Sequence, residues 1–429
     1  MIVYAAFDPF PAPKGAAVHI AHFAAALADK VAPVELLTLG AADAEAPVDV
    51  PPGARHTALP ARGKTLIDRI IDFREHLVTW WGDRRPSVAH VRSIYEGFPI
   101  ACAKDSVCDR FVFEVNGLPS IELKYHYPAV EADAELLAKL RAQEDHCLGA
   151  ADLILTPSPV TAGYLLARGA DRSRIRVVQN GVCPASFPYK PPRVRGEEPL
   201  ALLYAGTLAA WQGVDRAVEA LALIRRDVPA ELTCVGPGRR GQHRRVVERA
   251  EKLGVEDAVR ILPPVPQPDL VRLHHEADAA LVPLLPNDRN LDQGCCPLKA
   301  IEAMACGAPL VASDMPAVRA VAEPEREALL ARPGSAKALK DAVLRLAADP
   351  ELGQNISRAA RARVERELTW GRAASELVAA YRDVLGVPAS EADAQRGAAL
   401  ADEPQPPDEP APPDEPAPPD EPATESDSA

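Results

Sequence analysis

Two series of short apolar segments, each alternating with segments of helical periodicity, constrain the fold of this chain more than any other feature. Parallel strands need a crossover connection, usually a helix, so the alternation predicts α/β units and parallel sheets. The first series contains predicted strands at 2–7, 34–39, 88–91, 111–115 and 153–156, a strand and turn at 176–182, and a helix at 15–29. The second contains predicted strands at 200–206, 231–236, 259–262, 279–284 and 310–312, with helices at 213–227, 241–253, 268–276 and 297–306.

A proline-rich break separates the two series. Residues 188–199 hold four prolines and a cluster of charged residues, which is typical of a linker. At 429 residues, the chain is long enough for two domains with separate cores. Two doubly wound halves joined by a hinge would place a ligand cleft at the carboxyl ends of both sheets.

The negative charge of the chain is concentrated near residue 429. Residues 388–429 contain 12 of the 61 acidic residues and one of the 48 basic residues, so the body, with 49 acidic and 47 basic residues, is close to neutral. The body therefore gives no support to a basic groove for nucleic acid. The tail repeats Pro-Pro-Asp-Glu-Pro-Ala three times, and its proline density and single-sign charge predict an extended, disordered segment.

The sequence indicates neither a membrane span nor export. No apolar run approaches the roughly 18 residues of a spanning helix, and the first residues lack the basic region of a signal peptide. The eight cysteines show no metal-ligand spacing and no disulfide framework, so we expect a cytoplasmic protein with no metal site. The vicinal Cys295 and Cys296 fit packing thiols better than a redox or nucleophilic pair, because no histidine adjoins them.

Residues 294–314 predict a loop, a helix, a tight stop and a buried strand. Pro297 suits the first helical position, Gly307 suits a left-handed helix end, and Pro309 blocks continuation of the helix. A helix that begins at a loop presents free N–H groups and the positive end of its dipole, which favours an anionic ligand. Glu302, in the second turn, would accept hydrogen bonds from ligand hydroxyls. A packing helix with a solvated Glu302 is the alternative, and this segment alone does not decide between them.

This segment resembles the nucleotide-sugar-binding segment of family 4 glycosyltransferases, which have the GT-B fold and retain anomeric configuration. Those enzymes carry E-x7-E here; Glu302 matches the second Glu, and Gly294 stands at the position of the first. The resemblance implies an α/β, GT-B architecture, with two Rossmann-like doubly wound domains that face a central cleft and a C-terminal helix that crosses back to the first domain. The implied boundaries are an acceptor-side domain at 1–187, a linker at 188–199, a nucleotide-sugar-binding domain at 200–368, a crossover helix at 369–387 and the tail at 388–429.

The resemblance also implies a donor site. In the family the second Glu binds the ribose hydroxyls of the nucleotide, a role that Glu302 would take. A family loop that usually bears Arg and Lys for the donor diphosphate aligns with Thr207 and Gln212, so Lys299 and Arg289 are candidates to supply the missing charge. The first loop has no dinucleotide-binding G-x-G-x-x-G, but its small residues would let a ligand approach a helix start. The predicted donor-binding residues are Gly15, Ala16, Gly206, Thr207, Gln212, Gly236, Gly294, Cys296, Leu298, Lys299 and Glu302.

Three further residues, Asn116, Glu114 and His19, are predicted to serve the reaction in the cleft. Family members commonly have His where Asn116 stands; because Asn cannot act as a general base, Asn116 is predicted to orient the sugar, with Glu114 as a second polar group. His19 either faces the cleft or packs in the core. Arg92 either meets a phosphate or an acidic acceptor, or forms a salt bridge with Glu96 or Glu114.

The position of the first family Glu raises a separate question. In the family that Glu contacts the transferred sugar, which Gly294 cannot do. Either the sugar lacks that hydroxyl contact, or Asp292 or Cys295 fills the space.

Residues 62–85 form an amphipathic helix, with Leu66, Ile70, Phe73, Leu77 and Trp80 on one stripe. We favour packing on the first sheet, because acidic residues dilute the basic charge around the stripe. The alternative is a peripheral contact with the inner face of a membrane, where lipid-linked acceptors lie.

Taken together, these observations predict a glycosyltransferase that moves a sugar from a nucleoside diphosphate sugar to an acceptor hydroxyl with retention. The resemblance implies no cofactor or metal, and a front-face displacement assisted by the leaving phosphate. The expected partners are the nucleotide sugar and a glycan or lipid-linked acceptor in bacterial surface glycan or glycolipid synthesis. Two alternatives stay open: a degenerate GT-B protein that binds a nucleotide sugar without turnover, and a GT-B sugar-nucleotide epimerase.

Overall fold

Parallel strands build the first half of the molecule, as the alternation of strands and helices predicts. The computed structural model describes residues 1–12, 14–40, 50–193 and 196–386. The first sheet has the strand order β3-β2-β1-β4-β5-β6-β7. Its strands are β1 Ile2–Pro9, β2 Val34–Leu39, β3 Ala54–Leu59, β4 Val88–Val91, β5 Arg110–Glu114, β6 Leu153–Thr156 and β7 Ile175–Val177. Its helices are α1 Gly15–Lys30, α2 Leu66–Trp81, α3 Ile94–Cys102, α4 Lys104–Val107, α5 Pro119–His126, α6 Ala134–Ala150 and α7 Pro159–Ala167.

A second parallel sheet follows, in the order β10-β9-β8-β11-β12-β13. Its strands are β8 Leu200–Ala205, β9 Ala230–Val235, β10 Val259–Leu262, β11 Ala279–Val282, β12 Leu310–Ser313 and β13 Leu329–Ala331. The helices are α8 Val214–Ile224, α9 Arg240–Leu253, α10 Gln267–Glu276, α11 Leu298–Cys306, α12 Pro316–Arg319, α13 Ala336–Ala348, α14 Pro350–Glu367 and α15 Trp370–Leu385. A π-helical turn, Arg289–Gln293, precedes α11.

The strand order of each sheet reverses at its first strand. β1 lies between β2 and β4, and β8 lies between β9 and β11. Neighbouring helices diverge at such a point and leave a crevice outside the carboxyl ends of the strands, where α/β proteins bind ligands. The topology therefore places one crevice on each sheet.

The last described helix, α15, returns to the first sheet. Trp370, Leu377, Tyr381 and Leu385 on one face of α15 belong to the same buried cluster as Tyr4 of β1. The crossover predicted at 369–387 is thus present, and the side chains that α15 buries belong to the core of the first half.

Two edge strands were missed by the sequence pattern. β3 is mostly half-exposed and carries Arg55 and His56, so it lacks the continuous apolar run of the buried strands. β13 has only three residues, too few for a periodic pattern. The segment at 176–182, predicted as a strand and turn, contains only the end of β7, because pairing with β6 ends at Val177.

Two local predictions need correction in register. Pro297 precedes the first helical residue of α11 instead of occupying it, whereas Gly307 has the left-handed backbone expected of a helix end, with φ of 88°. In α2 the buried residues are Phe73, Leu77 and Trp81, which places Trp81 in the core where Trp80 was expected. The predicted packing of this helix on the first sheet is confirmed.

The described part of the predicted linker lies against the second half. Arg193 forms a bidentate ion pair with Asp278, with N···O distances of 2.8 and 2.7 Å. The amide of Lys190 donates to the carbonyl oxygen of Cys306 at 3.1 Å. Residues 1–388 form one compact unit, and the predicted acidic tail at 388–429 lies outside the described residues. Within the described ranges, no helix has the length and apolar character needed to cross a bilayer.

Candidate functional site

The starts of two helices face each other across the crevices. A Cβ on Gly15, the first residue of α1, would lie 3.0 Å from Cδ1 of Leu298, the first residue of α11. The amides of Leu298 and Lys299 donate no hydrogen bond to any described residue. Free amides at a helix start attract anions, and α1 and α11 bring two such starts to one place. Of the predicted donor-binding residues, Gly15, Ala16, Leu298 and Lys299 are therefore brought together.

Lys299 places a cation between α11 and the loop that follows β8. Its Nζ donates to Oε1 of Gln212, lies 3.5 Å from the hydroxyl of Tyr204, and sits 4.8 Å from the centroid of that ring. Among the described residues, no carboxylate oxygen lies within ion-pair distance of it. Burial lowers the pKa of Lys299 to about 7, because the surroundings offer a poor substitute for water. The site thus holds a cation that protein carboxylates leave unpaired.

Glu302 lies one turn further along α11. Its carboxylate makes no hydrogen bond within the described part of the chain, so its oxygens are free to accept. Burial raises the pKa of Glu302 to about 7, and nearby Lys299 opposes that rise. A half-protonated, unengaged carboxylate beside a helix start suits hydroxyl donors of a ligand.

Glycines let the loops after β8 and β9 approach each other and Lys299. Gly236 has φ of 141°, and a Cβ there would lie 2.3 Å from the carbonyl oxygen of Gly206. A Cβ on Gly206 would lie 3.2 Å from Nζ of Lys299. Thr207 is exposed, and its carbonyl oxygen accepts from the hydroxyl of Tyr204 at 2.5 Å. The structure therefore groups Gly206, Gly236 and Gln212 around Lys299, with the side chain of Thr207 at the rim.

A residue of the first half fills the space beside Gly294, where a larger side chain would lie. Its φ is 78°, and a Cβ there would lie 2.7 Å from Cβ of Val160 on α7. A larger residue would need a strained backbone and a displaced α7. Asp292 is exposed, and Cys295 is held beside Arg289, so neither side chain occupies the position of a glutamate at 294.

A buried carboxylate organises the first half of the site. Oε1 of Glu114 accepts from Nε of Arg92 at 3.0 Å and from Nδ2 of Asn116, and lies 2.8 Å from Nε2 of His19. Oε2 accepts from the hydroxyl of Tyr4 at 2.7 Å and lies 2.9 Å from Nε2 of His90. Burial alone would raise the pKa of Glu114, but His19 and Arg92 hold it well below its usual range. Glu114 is thus a fixed anion and does not carry a proton.

The predicted catalytic residues meet at this carboxylate. His19 is only 3% exposed, and its Nδ1 lies 2.7 Å from Oδ1 of Asn180, which supports the core position over the cleft-facing one. Arg92 pairs through NH1 with Asp8 at 3.0 Å and through Nε with Glu114. The salt-bridge interpretation of Arg92 is therefore correct, and its charge is compensated.

Arg289 is also paired, across the two halves. Its Nε lies 3.0 Å from Oε1 of Glu122 on α5, and the same oxygen accepts from Nε2 of Gln293 at 2.8 Å. Lys124, also on α5, forms an ion pair with Asp288 at 2.7 Å. These bonds hold α5 against the π-helical turn, so Arg289 meets a phosphate only after Glu122 releases it.

The remaining groups show packing chemistry. Burial raises the pKa of Cys296 to about 12 and also raises that of Cys295, so neither thiol ionises near neutral pH. Among the described residues, no three His, Cys, Asp or Glu side chains converge in a way that would hold a metal ion.

Four members of the Glu114 cluster escaped the sequence analysis: Asp8, Tyr4, His90 and Tyr381. Tyr4 and His90 lie on strands that read as continuous buried runs, and Tyr381 lies 291 residues from its partner His90. Polar residues inside two otherwise apolar strands were the only local signal, since a buried polar group needs a partner.

Two domain families match the chain, one in each half. Residues 14–181 match the family described as glycosyl transferase 4-like domain. Residues 199–349 match the family described as glycosyl transferases group 1. Both halves of the chain are thus similar to glycosyltransferase domains. Residues 294–314 lie within the second matched domain, which supports the resemblance drawn from them.

Curated relatives match this chain over part of their length. D-inositol 3-phosphate glycosyltransferase of Saccharomonospora viridis is 32% identical over 209 residues, 47% of this chain and 45% of that protein. Glycogen synthase of Mycobacterium tuberculosis is 31% identical over 214 residues, 50% of this chain and 49% of that protein. The chain thus spans about half the length of these relatives.

Solved structures share the fold of this chain. Sucrose-phosphate synthase from Thermosynechococcus elongatus has a TM-score of 0.74 at 21% identity, covering 90% of this chain and 100% of that one. Anabaena HepE, in complex with UDP and glucose, has a TM-score of 0.68 at 14% identity, covering 88% of this chain and 98% of that one. The predicted GT-B architecture of two Rossmann-like sheets is confirmed.

Proposed function

We propose that this protein transfers a sugar from a nucleoside diphosphate sugar to an acceptor hydroxyl, with retention of anomeric configuration. The observation that carries the proposal is Lys299, a cation without a carboxylate partner among the described residues, beside the free amides of α11. A half-buried cation of this kind is costly unless an anion joins it. A diphosphate matches both the charge and the hydrogen-bond donors.

The diphosphate is also the leaving group of the proposed reaction. Negative charge grows on its bridging oxygen as the bond to the sugar breaks, and preorganised donors stabilise that charge. Lys299 and the amides of Leu298 and Lys299 would supply this stabilisation without a bound metal. Glu302, with both oxygens unengaged, would accept from the ribose hydroxyls.

The chemistry of the first half supports one route to the proposed retention. A double displacement needs a free carboxylate that attacks the anomeric carbon. Glu114 accepts hydrogen bonds on both oxygens, and Asp8 pairs with Arg92 and with Lys14 at 2.8 Å. These two carboxylates are therefore engaged, which favours a front-face displacement in which the leaving phosphate takes the proton of the acceptor.

Relatives support the class of donor. HepE was solved in complex with UDP-glucose, and the curated relatives are named as glycosyltransferase and glycogen synthase. By analogy, we propose a nucleoside diphosphate hexose as the donor.

For the acceptor, we propose a surface glycan or glycolipid that is built at the inner face of a membrane. The outward side of α2 supports this, because Ile67, Ile71 and Val78 are 58%, 51% and 61% exposed while the opposite side packs on the sheet. An exposed apolar row on an amphipathic helix is typical of contact with a lipid surface. Co-sedimentation with anionic vesicles, compared between the native chain and Ile71→Asp, tests this part.

Nucleotide release from a panel of UDP-, GDP- and ADP-sugars tests the central proposal. We expect release with one donor class, faster when acceptor is present, and loss of donor affinity in Glu302→Ala. Lys337→Met, which removes an exposed lysine of α13 that pairs with Asp341, is the matched control and should behave as the native chain.

Two outcomes would contradict the proposal. Measurable nucleotide binding without release from any donor would indicate a binding protein without turnover. Unchanged donor affinity in Glu302→Ala would show that Glu302 does not contact the donor.

A further inference from the structure

A hydrogen-bond chain connects the crossover helix to the carboxylate that holds the predicted site residues. The hydroxyl of Tyr381 on α15 lies 2.7 Å from Nδ1 of His90, and Nε2 of His90 lies 2.9 Å from Oε2 of Glu114. Tyr381 and His90 are fully buried, and Glu114 is 1% exposed. This series of hydrogen bonds is therefore shielded from water along its length.

The donor and acceptor roles along this hydrogen-bond chain follow from the carboxylate of Glu114 at its end. Glu114 is an anion and accepts only, so Nε2 of His90 carries the proton that faces it. Burial lowers the pKa of His90, which keeps its ring neutral, so Nδ1 has a lone pair. Nδ1 therefore accepts from the hydroxyl of Tyr381, and Tyr381 fixes the tautomer of His90. Tyr4 stacks on the ring at 4.3 Å and keeps it in plane.

The two oxygens of Glu114 contact different sets of groups. Oε2 faces the buried donors Tyr4 and His90, whereas Oε1 faces Arg92, Asn116 and His19. A carboxylate that is held on one side has a fixed orientation on the other. Loss of the bond from His90 would leave Oε2 with the hydroxyl of Tyr4 as its donor, so the carboxylate, and with it Asn116 and Arg92, would be held less firmly.

We infer that Tyr381 is a positioning residue, through which the crossover helix sets the orientation of Glu114 and so of Asn116 and Arg92 in the cleft. The inference rests on the proposed transferase function for its kinetic consequence. Its structural content, the tautomer of His90, does not depend on that function.

The first test measures the tautomer without a donor. Side-chain ¹⁵N NMR of the native chain, with His90 assigned through His90→Gln, should show the proton on Nε2 and a hydrogen-bonded Nδ1. Tyr381→Phe should move the Nδ1 resonance and leave other histidines unchanged. A proton on Nδ1 in the native chain would overturn the inference, even if no donor is ever turned over.

Kinetics then distinguish positioning from stability. Tyr381→Phe keeps the buried ring and should lower kcat roughly 3- to 10-fold, the worth of one hydrogen bond. Donor Kd should stay within twofold, because Lys299 and Glu302 lie outside the chain of hydrogen bonds. Leu377→Val, in the same buried face of α15, is the matched control and should keep native kcat.

Two substitutions of His90 test its two hydrogen bonds, to Glu114 and to Tyr381, separately. The amide nitrogen of Gln replaces Nε2, and that of Asn replaces Nδ1. His90→Gln should therefore keep the bond to Glu114 and retain more kcat than His90→Asn, which loses it. Equal kcat in the two variants, or equal losses in Tyr381→Phe and Leu377→Val, would contradict the inference. If the native chain releases nucleotide from no donor, the proposed function fails while the NMR result still decides the linkage.

Discussion

Replacing Lys299 with methionine is expected to weaken nucleoside diphosphate binding and to stabilise the fold at the same time. The side chain of Met has a similar length and fits the apolar part of the site. Its substitution removes a charge that meets only the neutral groups Gln212 and Tyr204. A residue that costs stability and gains affinity is typical of a binding site.

The loss of affinity can be worked from the bond that disappears. A hydrogen bond from a charged donor is worth about 1.5–3 kcal/mol, which corresponds to roughly 10- to 150-fold in Kd. Because burial lowers the pKa of Lys299 to about 7, the native side chain is charged below pH 7 and increasingly neutral above it. The difference between native chain and variant should therefore be largest at pH 6 and smaller at pH 9.

The gain in stability has the same origin. The pKa of Lys299 falls from an ordinary 10.5 to about 7, and at about 1.36 kcal/mol per pKa unit this costs the folded state up to about 5 kcal/mol. The full cost applies below pH 7, where the side chain is charged in both states. Between pH 7 and 10.5 the folded state binds fewer protons, so native stability rises with pH and the advantage of Lys299→Met shrinks.

Calorimetric titration with UDP, GDP and ADP at pH 6 and 9, together with thermal unfolding, measures both effects. Lys337→Met serves as the control, because that lysine is exposed and pairs with Asp341 outside the site. A variant that binds every nucleotide within twofold of the native chain would refute the phosphate role. A variant that unfolds at a lower temperature at pH 6 would refute the argument from burial.

Three further changes test neighbouring parts of the site. Glu302→Gln should weaken nucleotide binding more at pH 8 than at pH 6, because the native carboxyl, with its pKa raised to about 7, is ionised only at the higher pH; titrations at both values check this. Gly294→Glu, at φ of 78°, should lower the unfolding free energy by about 1–3 kcal/mol without any gain in donor affinity, and Val160→Gly in the same chain should recover part of the loss, as seen by thermal unfolding. Glu122→Gln should free Arg289 and strengthen nucleotide binding about 2- to 5-fold, and unchanged binding would show that Arg289 does not reach the nucleotide.

Much of the fold was accessible from the sequence because buried parallel strands are short and continuously apolar. The strands that were recognised, such as β1 and β11, are of this kind. β3 escaped because it is an edge strand with one open side, so its polar residues hide the pattern. The sequence pattern therefore detects burial directly, and it detects a strand only where the strand is buried.

The part of the site formed by residues close in sequence could be predicted, whereas the part formed by distant segments could not. Glu302 and Lys299 lie on one predicted helix, so their proximity followed from helical spacing. The pairing of Arg289 with Glu122 and of His90 with Tyr381 joins segments far apart in sequence. Such pairs depend on how the elements pack, and a single sequence contains no signal for them.

The contact at Gly294 means that the two halves are not interchangeable parts. The donor side of the cleft is shaped at this point by Val160, a residue of the first half. A second half taken from a protein with a larger residue at this position would bring that side chain against α7 and would open the crevice. Engineering of the proposed donor site therefore has to include α7 of the first half.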